Sequence, residues 1–315
     1  MISSKAPVLL AYDGSPGSAA AISAAGRLVK SRRAVVCNVW ARLSGPIFRS
    51  EPAQLPGVLR DAAEEIDQIE LDAARRTAAE GVRLAQAAGF DAEPLCVAER
   101  DHTWRALLDA AQSVDASMVV TGAHGQSGIR RALLGSVSTG LVHHSGLPLL
   151  IVPSAGEEMP APGPVLLSYD GSESAVRAIG SAGELLTISE ARVVHVWDSW
   201  VARAPALAGA SGSVMGIAVE LDEVADEQST DISARGVEEA ALAGVAATAI
   251  SESAKGPVWR SLLDIGDRQQ AAAIVLGSRG LGGISAALGS VSNGVVHHSQ
   301  RPVFIVPPPP EAGGE

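Results

Sequence analysis

Residues 8–15 read VLLAYDGS, and residues 165–172 read VLLSYDGS. Working outward from that pair, the same shift of 157 positions carries Gly26 onto Gly183, Val39 onto Val196 and Trp40 onto Trp197. Trp104-Arg105 then returns as Trp259-Arg260, each followed shortly by Leu-Leu-Asp, and GSVSTGLVHHSGLPLLIVP at 135–153 returns as GSVSNGVVHHSQRPVFIVP at 289–307. A period this long is the size of a domain rather than of a solenoid repeat, so a complete fold is duplicated. The Pro- and Gly-rich stretch SAGEEMPAPGPV supports neither helix nor ladder and reads as the linker, dividing the chain into 1–156 and 157–315.

Length and composition agree with two cores. The chain has 315 residues, 47% hydrophobic and 19% charged, the balance of a globular protein that folds without a partner. A formal net charge of −11 repels phosphate backbones and anionic lipid, which argues against nucleic-acid and membrane partners. The opening MISSKAP has no apolar secretory core, and no apolar run approaches the ~20 residues of a membrane span, so a cytoplasmic location is expected. Cys37 and Cys96 sit inside strand-like apolar segments, the setting of reduced, packed thiols.

Each half alternates strand and helix patterns, predicting an open five-stranded parallel α/β sheet, Rossmann-like, with helices on both faces. In the first half strands are predicted near 7–12, 34–40, 92–98, 117–122 and 148–152, with helices over 16–31, about 58–88, 103–113 and 136–145. The long helix is expected to bury a stripe made of Leu59, Ile66, Ile69, Ala73, Val82 and Leu84, and to stop at Gly89. Trp104 and Trp259, each ahead of a Leu pair, read as core anchors. The final strands, LPLLIVP and RPVFIVP, are apolar runs that an open edge tolerates poorly. The two halves are therefore expected to pair through them, in a unit able to form a homodimer. Charge placed at Leu150 and Phe304 together should lower the melting temperature and change the hydrodynamic radius if that holds.

In such a sheet a ligand crevice opens beyond the carboxyl ends of the strands, where strand order reverses. The unusual residues cluster at the two turns expected there. Asp13-Gly14-Ser15 follows strand 1, and TGAHGQSGIRRALLGSVS (121–138) follows strand 4, with Gly122, Gly125 and Gly135-Ser136 in a G-x2-G-x9-G-[ST] spacing. Glycines let backbone approach a ligand, and Gly135-Ser136 opens a helix whose free N–H groups favour an anion. Several such contacts at about 0.3–1 kcal/mol each, with hydroxyls added, make roughly micromolar phosphate binding attainable. Taken alone, the same residues also suit tight turns and a helix cap.

The whole constellation resembles the universal stress protein family in its tandem form, specifically the branch that binds ATP. The resemblance covers nearly all of both halves and leaves out the 41–57 and 198–215 loops. It implies that Ala11 and Asp13 lie beside ribose and base, and Val39 near the adenine. It further implies that Gly122, Ala123 and Gly125 contact ribose and phosphate, with Gly135, Ser136 and Val137 on the phosphate tail. In the second half the matching positions are Ser168, Asp170, Val196, Gly277, Ser278, Gly280, Gly289, Ser290 and Val291. That half departs from the first in one respect: eight residues separate Gly280 from Gly289, against nine between Gly125 and Gly135, and Arg130-Arg131 have no basic counterpart. The first half is accordingly expected to bind nucleotide more tightly. Arg130-Arg131 read equally as a solvated helix face or as phosphate contacts.

The implied function is a stress-response regulator that binds ATP, with or without Mg²⁺, and hydrolyses it slowly at most. No G-x4-G-K-[ST] lysine is present, and the three lysines stand at 5, 30 and 255. Asp13 suits Mg²⁺ or the nucleoside, and the sequence leaves both open. The His143-His144 and His297-His298 pairs lack companion ligands and read as partly buried or capping residues. An ATP pyrophosphatase or adenylating enzyme, and a nucleotide-free interaction module, are the alternatives.

Overall fold

The computed structural model describes residues 6–42, 57–125, 134–153, 163–201, 212–278 and 288–308. The chain divides into two compact units, Met1–Ser154 and Ala155–Glu315. The first contains β1 (Val8–Ala11), α1 (Pro16–Leu28), β2 (Arg33–Ala41), α2 (Gly57–Ala87), β3 (Asp91–Glu99), α3 (Thr103–Ser113), β4 (Met118–Gly122), α4 (Ser136–His144) and β5 (Leu149–Val152). Its strands are parallel in the order β3-β2-β1-β4-β5. β1 and β4 are buried along their whole length, which is why VLLA and MVVTG show no alternation.

The second unit repeats this plan. It contains β6 (Val165–Ser168), α5 (Glu173–Leu185), β7 (Ala191–Asp198), α6 (Gly212–Leu242), β8 (Ala247–Ala254), α7 (Val258–Arg268), β9 (Ala273–Gly277), α8 (Ser290–His298) and β10 (Val303–Val306). The parallel order is β8-β7-β6-β9-β10. No helix among the described residues is long and apolar enough to cross a membrane.

The first long helix corrects the expected apolar stripe. In α2, Ile66, Ile69 and Leu84 are exposed, while Ala63, Asp67, Ala74, Ala78, Gly81 and Ala85 face inward. The reason is close approach to the sheet: a Cβ at Gly81 would stand 2.6 Å from the Tyr12 ring and 2.7 Å from Val36. Only small residues fit at that contact, so Ile66, Ile69 and Leu84 are turned out, while Ala73 and Val82 of the expected stripe are half-buried. The same contact recurs in α6, where a Cβ at Gly236 would meet Val193 at 2.6 Å and Tyr169 at 2.7 Å. An inward acid on each helix fixes the chain leaving the second strand. Asp67 takes Arg42 Nε at 3.4 Å, and Asp222 accepts Ser199 Oγ at 2.5 Å and Trp200 N at 2.6 Å. The expected stop at Gly89 is seen as a positive φ of 92°.

The tryptophans are half-buried rather than core residues. Trp104 lies against α4 at Gly140, where a Cβ would be 2.2 Å from its ring, and stacks on the exposed His144 at 4.3 Å between centroids. Trp259 repeats this with Gly294 and His298, at 4.6 Å. These pairs join α3 to α4 and α7 to α8, which gives His144 and His298 a packing role. Cys37 is a buried free thiol, and Cys96, one strand away, is a half-buried one.

Candidate functional site

β1 pairs with β4 but continues to β2 on its other side, while β4 continues to β5, so the connections leaving β1 and β4 diverge and a crevice opens above their ends. The turn after β1 is built by Asp13, Gly14 and Ser15. Gly14 has φ +82°, a conformation that glycine adopts without strain, and Ser15 caps α1 by accepting Ser18 N at 3.2 Å. One oxygen of Asp13 accepts Ser15 N at 3.0 Å and Ser18 Oγ at 2.7 Å. Its other oxygen stands over Gly125, where a Cβ would come within 2.7 Å. The carboxylate is thus oriented by its own turn and pointed across the crevice.

The opposite lip is the end of β4. Gly122 passes so close to α1 that a Cβ would lie 2.9 Å from the Gly17 backbone. The excursion from β4 closes where Gly135 N donates to Ala123 O at 2.8 Å, and Ser138 Oγ donates to Gly122 O at 2.8 Å, tying the first turn of α4 to the strand. Gly135 occupies the N-cap of α4 with no side-chain cap. Among the described residues no side chain caps the first-turn N–H groups of α4, which lie at the positive end of the helix dipole.

These parts enclose a cleft of about 490 Å³. Ala11, Asp13, Val39, Gly122, Gly125, Gly135, Ser136 and Val137 line it. Ala123 does not: it is buried behind the lip, and its carbonyl closes the loop. The lining also includes residues to which sequence reasoning gave no site role, Tyr12, Asn38, Trp40, Glu70, Thr77, Thr103 and His124 among them. Asn38 Nδ2 donates to Tyr12 O at 2.8 Å and so holds the ends of β1 and β2 in register. Thr103 Oγ1 donates to Glu99 Oε2 at 2.7 Å. Burial, with Cys96 beside it, pushes the Cys37 thiol in the cleft floor up to about 12, so at neutral pH it is a protonated thiol and no nucleophile. Arg130 and Arg131 lie outside the described residues.

The second unit builds the same frame with different fittings. Gly171 has φ +81°, Ser172 caps α5, and Asp170 accepts Ser172 N at 3.0 Å. The place of Ser18 is taken by Ala175, which offers no hydroxyl to the acid. His195 Nδ1 meets Tyr169 O at 2.8 Å where the first unit uses Asn38. Gly289 N donates to Ser278 O at 2.8 Å, Ser292 Oγ donates to Gly277 O at 2.7 Å, and Gly289 is again a cap without a side chain. Ser168, Asp170, Val196, Gly277, Ser278, Gly289, Ser290 and Val291 therefore stand where the repeat puts them, whereas Gly280 lies outside the described residues. Ser278 replaces Ala123, and its buried hydroxyl finds no hydrogen-bond partner among the described residues. Among those residues no three His, Cys, Asp or Glu side chains gather as a metal cluster.

The universal stress protein family model matches this chain twice, over residues 6–153 and 163–307. A universal stress protein of Mycobacterium tuberculosis is 30% identical over 248 residues, spanning 74% of this chain and 77% of that protein. A second from the same organism is 27% identical over 308 residues, 95% of each. Among solved structures, a universal stress protein from Archaeoglobus fulgidus matches with a TM-score of 0.59 at 22% identity, covering 96% of this chain and 98% of that one. One described as a universal stress protein from Pseudomonas aeruginosa matches with a TM-score of 0.54 at 14% identity, covering 96% and 93%.

Proposed function

The chain belongs to the universal stress protein family in tandem form, and from that premise we propose that it is a cytoplasmic stress-response regulator that binds ATP in the cleft of its first unit. The observation that carries this reading is the facing of two unlike groups across one 490 Å³ cleft: the uncapped N-terminus of α4 and the oriented carboxylate of Asp13. A helix start attracts phosphate, and a fixed carboxylate accepts hydrogen bonds from sugar hydroxyls. A nucleotide presents both at once. Asp13 is also the group that would hold Mg²⁺, through the oxygen its turn leaves over Gly125. Val39 and Trp40 supply apolar and aromatic surface for a base.

Binding rather than turnover is the role of this site in our reading. None of the described cleft residues is a lysine or arginine, and the described groups suited to phosphate are the backbone N–H groups at the start of α4. Mass spectrometry of small molecules released from freshly purified protein, joined to calorimetric titration with ATP, tests the proposal. Recovery of adenine nucleotide and saturable binding are expected. A clean apo protein that titrates with no heat would overturn it, and rapid release of AMP from α-labelled ATP would replace it with an adenylating or pyrophosphatase activity.

A further inference from the structure

The first half of α6 reads GSVMGIAVELDEVADEQ, and its amphipathicity is turned to the side. Its buried row is made of small residues, beginning at Ala218 and continuing through Ser229, Ser233, Gly236 and Ala240. Its large apolar residues stand in water: Val214 is 40% exposed, Ile217 57%, Leu221 43% and Val224 51%. These four recur at intervals of three, four and three, the seam spacing of a helix that pairs with another helix. At about 100° per residue they fall within a stripe roughly 80° wide, on the flank between the buried row and the open face. Met215 and Val219 add further exposed apolar surface to the same turns. An exposed patch of this kind costs solubility and marks a contact surface.

The charge beside the stripe says what covers it. Glu220, Glu223 and Glu227 are exposed and border it on the solvent side, and no lysine or arginine occurs from 204 to 234. A second copy laid antiparallel along the seam would set Glu220 and Glu227 against the same acids. We propose that this flank of α6 is a docking site for an amphipathic basic helix of another protein, whose apolar side enters the Val214–Ile217–Leu221–Val224 seam while its Lys or Arg residues meet the glutamate row. The site is separate from the nucleotide cleft and does not depend on the reading of that cleft.

The test uses the full chain and a fluorescein-labelled peptide of about 18 residues, with leucines at the seam spacing and lysines on both flanks, followed by anisotropy. Saturable binding is expected. Ile217→Ser combined with Leu221→Ser, and separately Glu220→Lys combined with Glu227→Lys, should each weaken it by on the order of tenfold with the thermal unfolding curve unchanged. A peptide with glutamates in place of lysines should not bind. The proposal falls if no saturable binding is seen, or if the Ile217/Leu221 pair titrates like the parent chain. It also falls if the parent sediments as a dimer that this pair dissolves and the peptide fails to displace, which would make a second copy the occupant.

Discussion

Asp13 sets its two oxygens in different surroundings, one held by Ser15 N and Ser18 Oγ and the other lying over Gly125. A side chain at 125 would begin 2.7 Å from that second oxygen, so Gly125→Val should cost at least about tenfold in ATP affinity by calorimetry. Because residue 125 is exposed, the unfolding transition should hardly move. Ser18→Ala removes a hydrogen bond to a charged acceptor, an interaction of about 1.5–3 kcal/mol when fully formed, and should weaken binding without blocking the cleft. Cys37 gives a prediction in pH. Its folded value of about 12 stands above the free thiol's 9.0, so the stability it contributes is complete below 9 and is lost as pH rises towards 12. Iodoacetamide at pH 8 to 9 should therefore label Cys96 and spare Cys37, and rapid labelling of both would contradict that burial. Asp13, Gly122, Gly125 and Gly135 were legible because turns and helix starts demand particular residue types. Trp40, Glu70, Thr77 and Thr103 were not, since only the packing of β2, α2 and α3 brings them to the same cleft.

At the scale of the elements, alternation of buried strands and helical periods was enough to place the β-α order, and the repeat fixed it twice. The stripe of the first long helix was misread at Ile66, Ile69 and Leu84 because hydrophobic periodicity assumes that the largest apolar residues face inward. Here the distance between helix and sheet sets the rule instead. With Gly81 and Gly236 seated against Tyr12 and Tyr169, the fully buried row is made of Ala, Gly, Ser and an acid, and Ile66, Ile69 and Leu84 are left outside. Such a row resembles a polar, small-residue face, and nothing local distinguishes it from one. Gly81→Leu should therefore destabilise the unit by about 1–3 kcal/mol or more through overpacking. Ile69→Ser, on the 59% exposed side of the same helix, should stay within about 0.5 kcal/mol. Urea denaturation of the two variants decides between the rules: a larger loss at Ile69 would restore the periodic stripe.

For the molecule as a whole, duplication supplies two copies of one frame, and the copies have kept the fold while changing residues at and behind the two turns. Both retain the turn acid, the positive-φ glycine, the serine cap and the bare helix start. The second has Ala175 where the first has Ser18, Ser278 where the first has Ala123, and one residue fewer between its glycines. At the position of Ser18, Ala175 cannot give Asp170 the hydroxyl that Asp13 receives. A shorter connection must also bring the same groups together with little slack, since one residue spans up to ~3.6 Å and hydrogen bonds tolerate only tenths of that. Each lost contact to a charged group, at about 1.5–3 kcal/mol, corresponds to about tenfold or more in affinity. Calorimetric titration of the full chain should then resolve a tighter site that Asp13→Ala abolishes and a weaker one that Asp170→Ala removes with little effect on the first. Ala175→Ser, which returns the missing hydroxyl, should tighten the weaker site. Equal losses from the two aspartate substitutions, or a second unit left unchanged by the new serine, would mean that the difference between the units lies elsewhere than in how their acids are held.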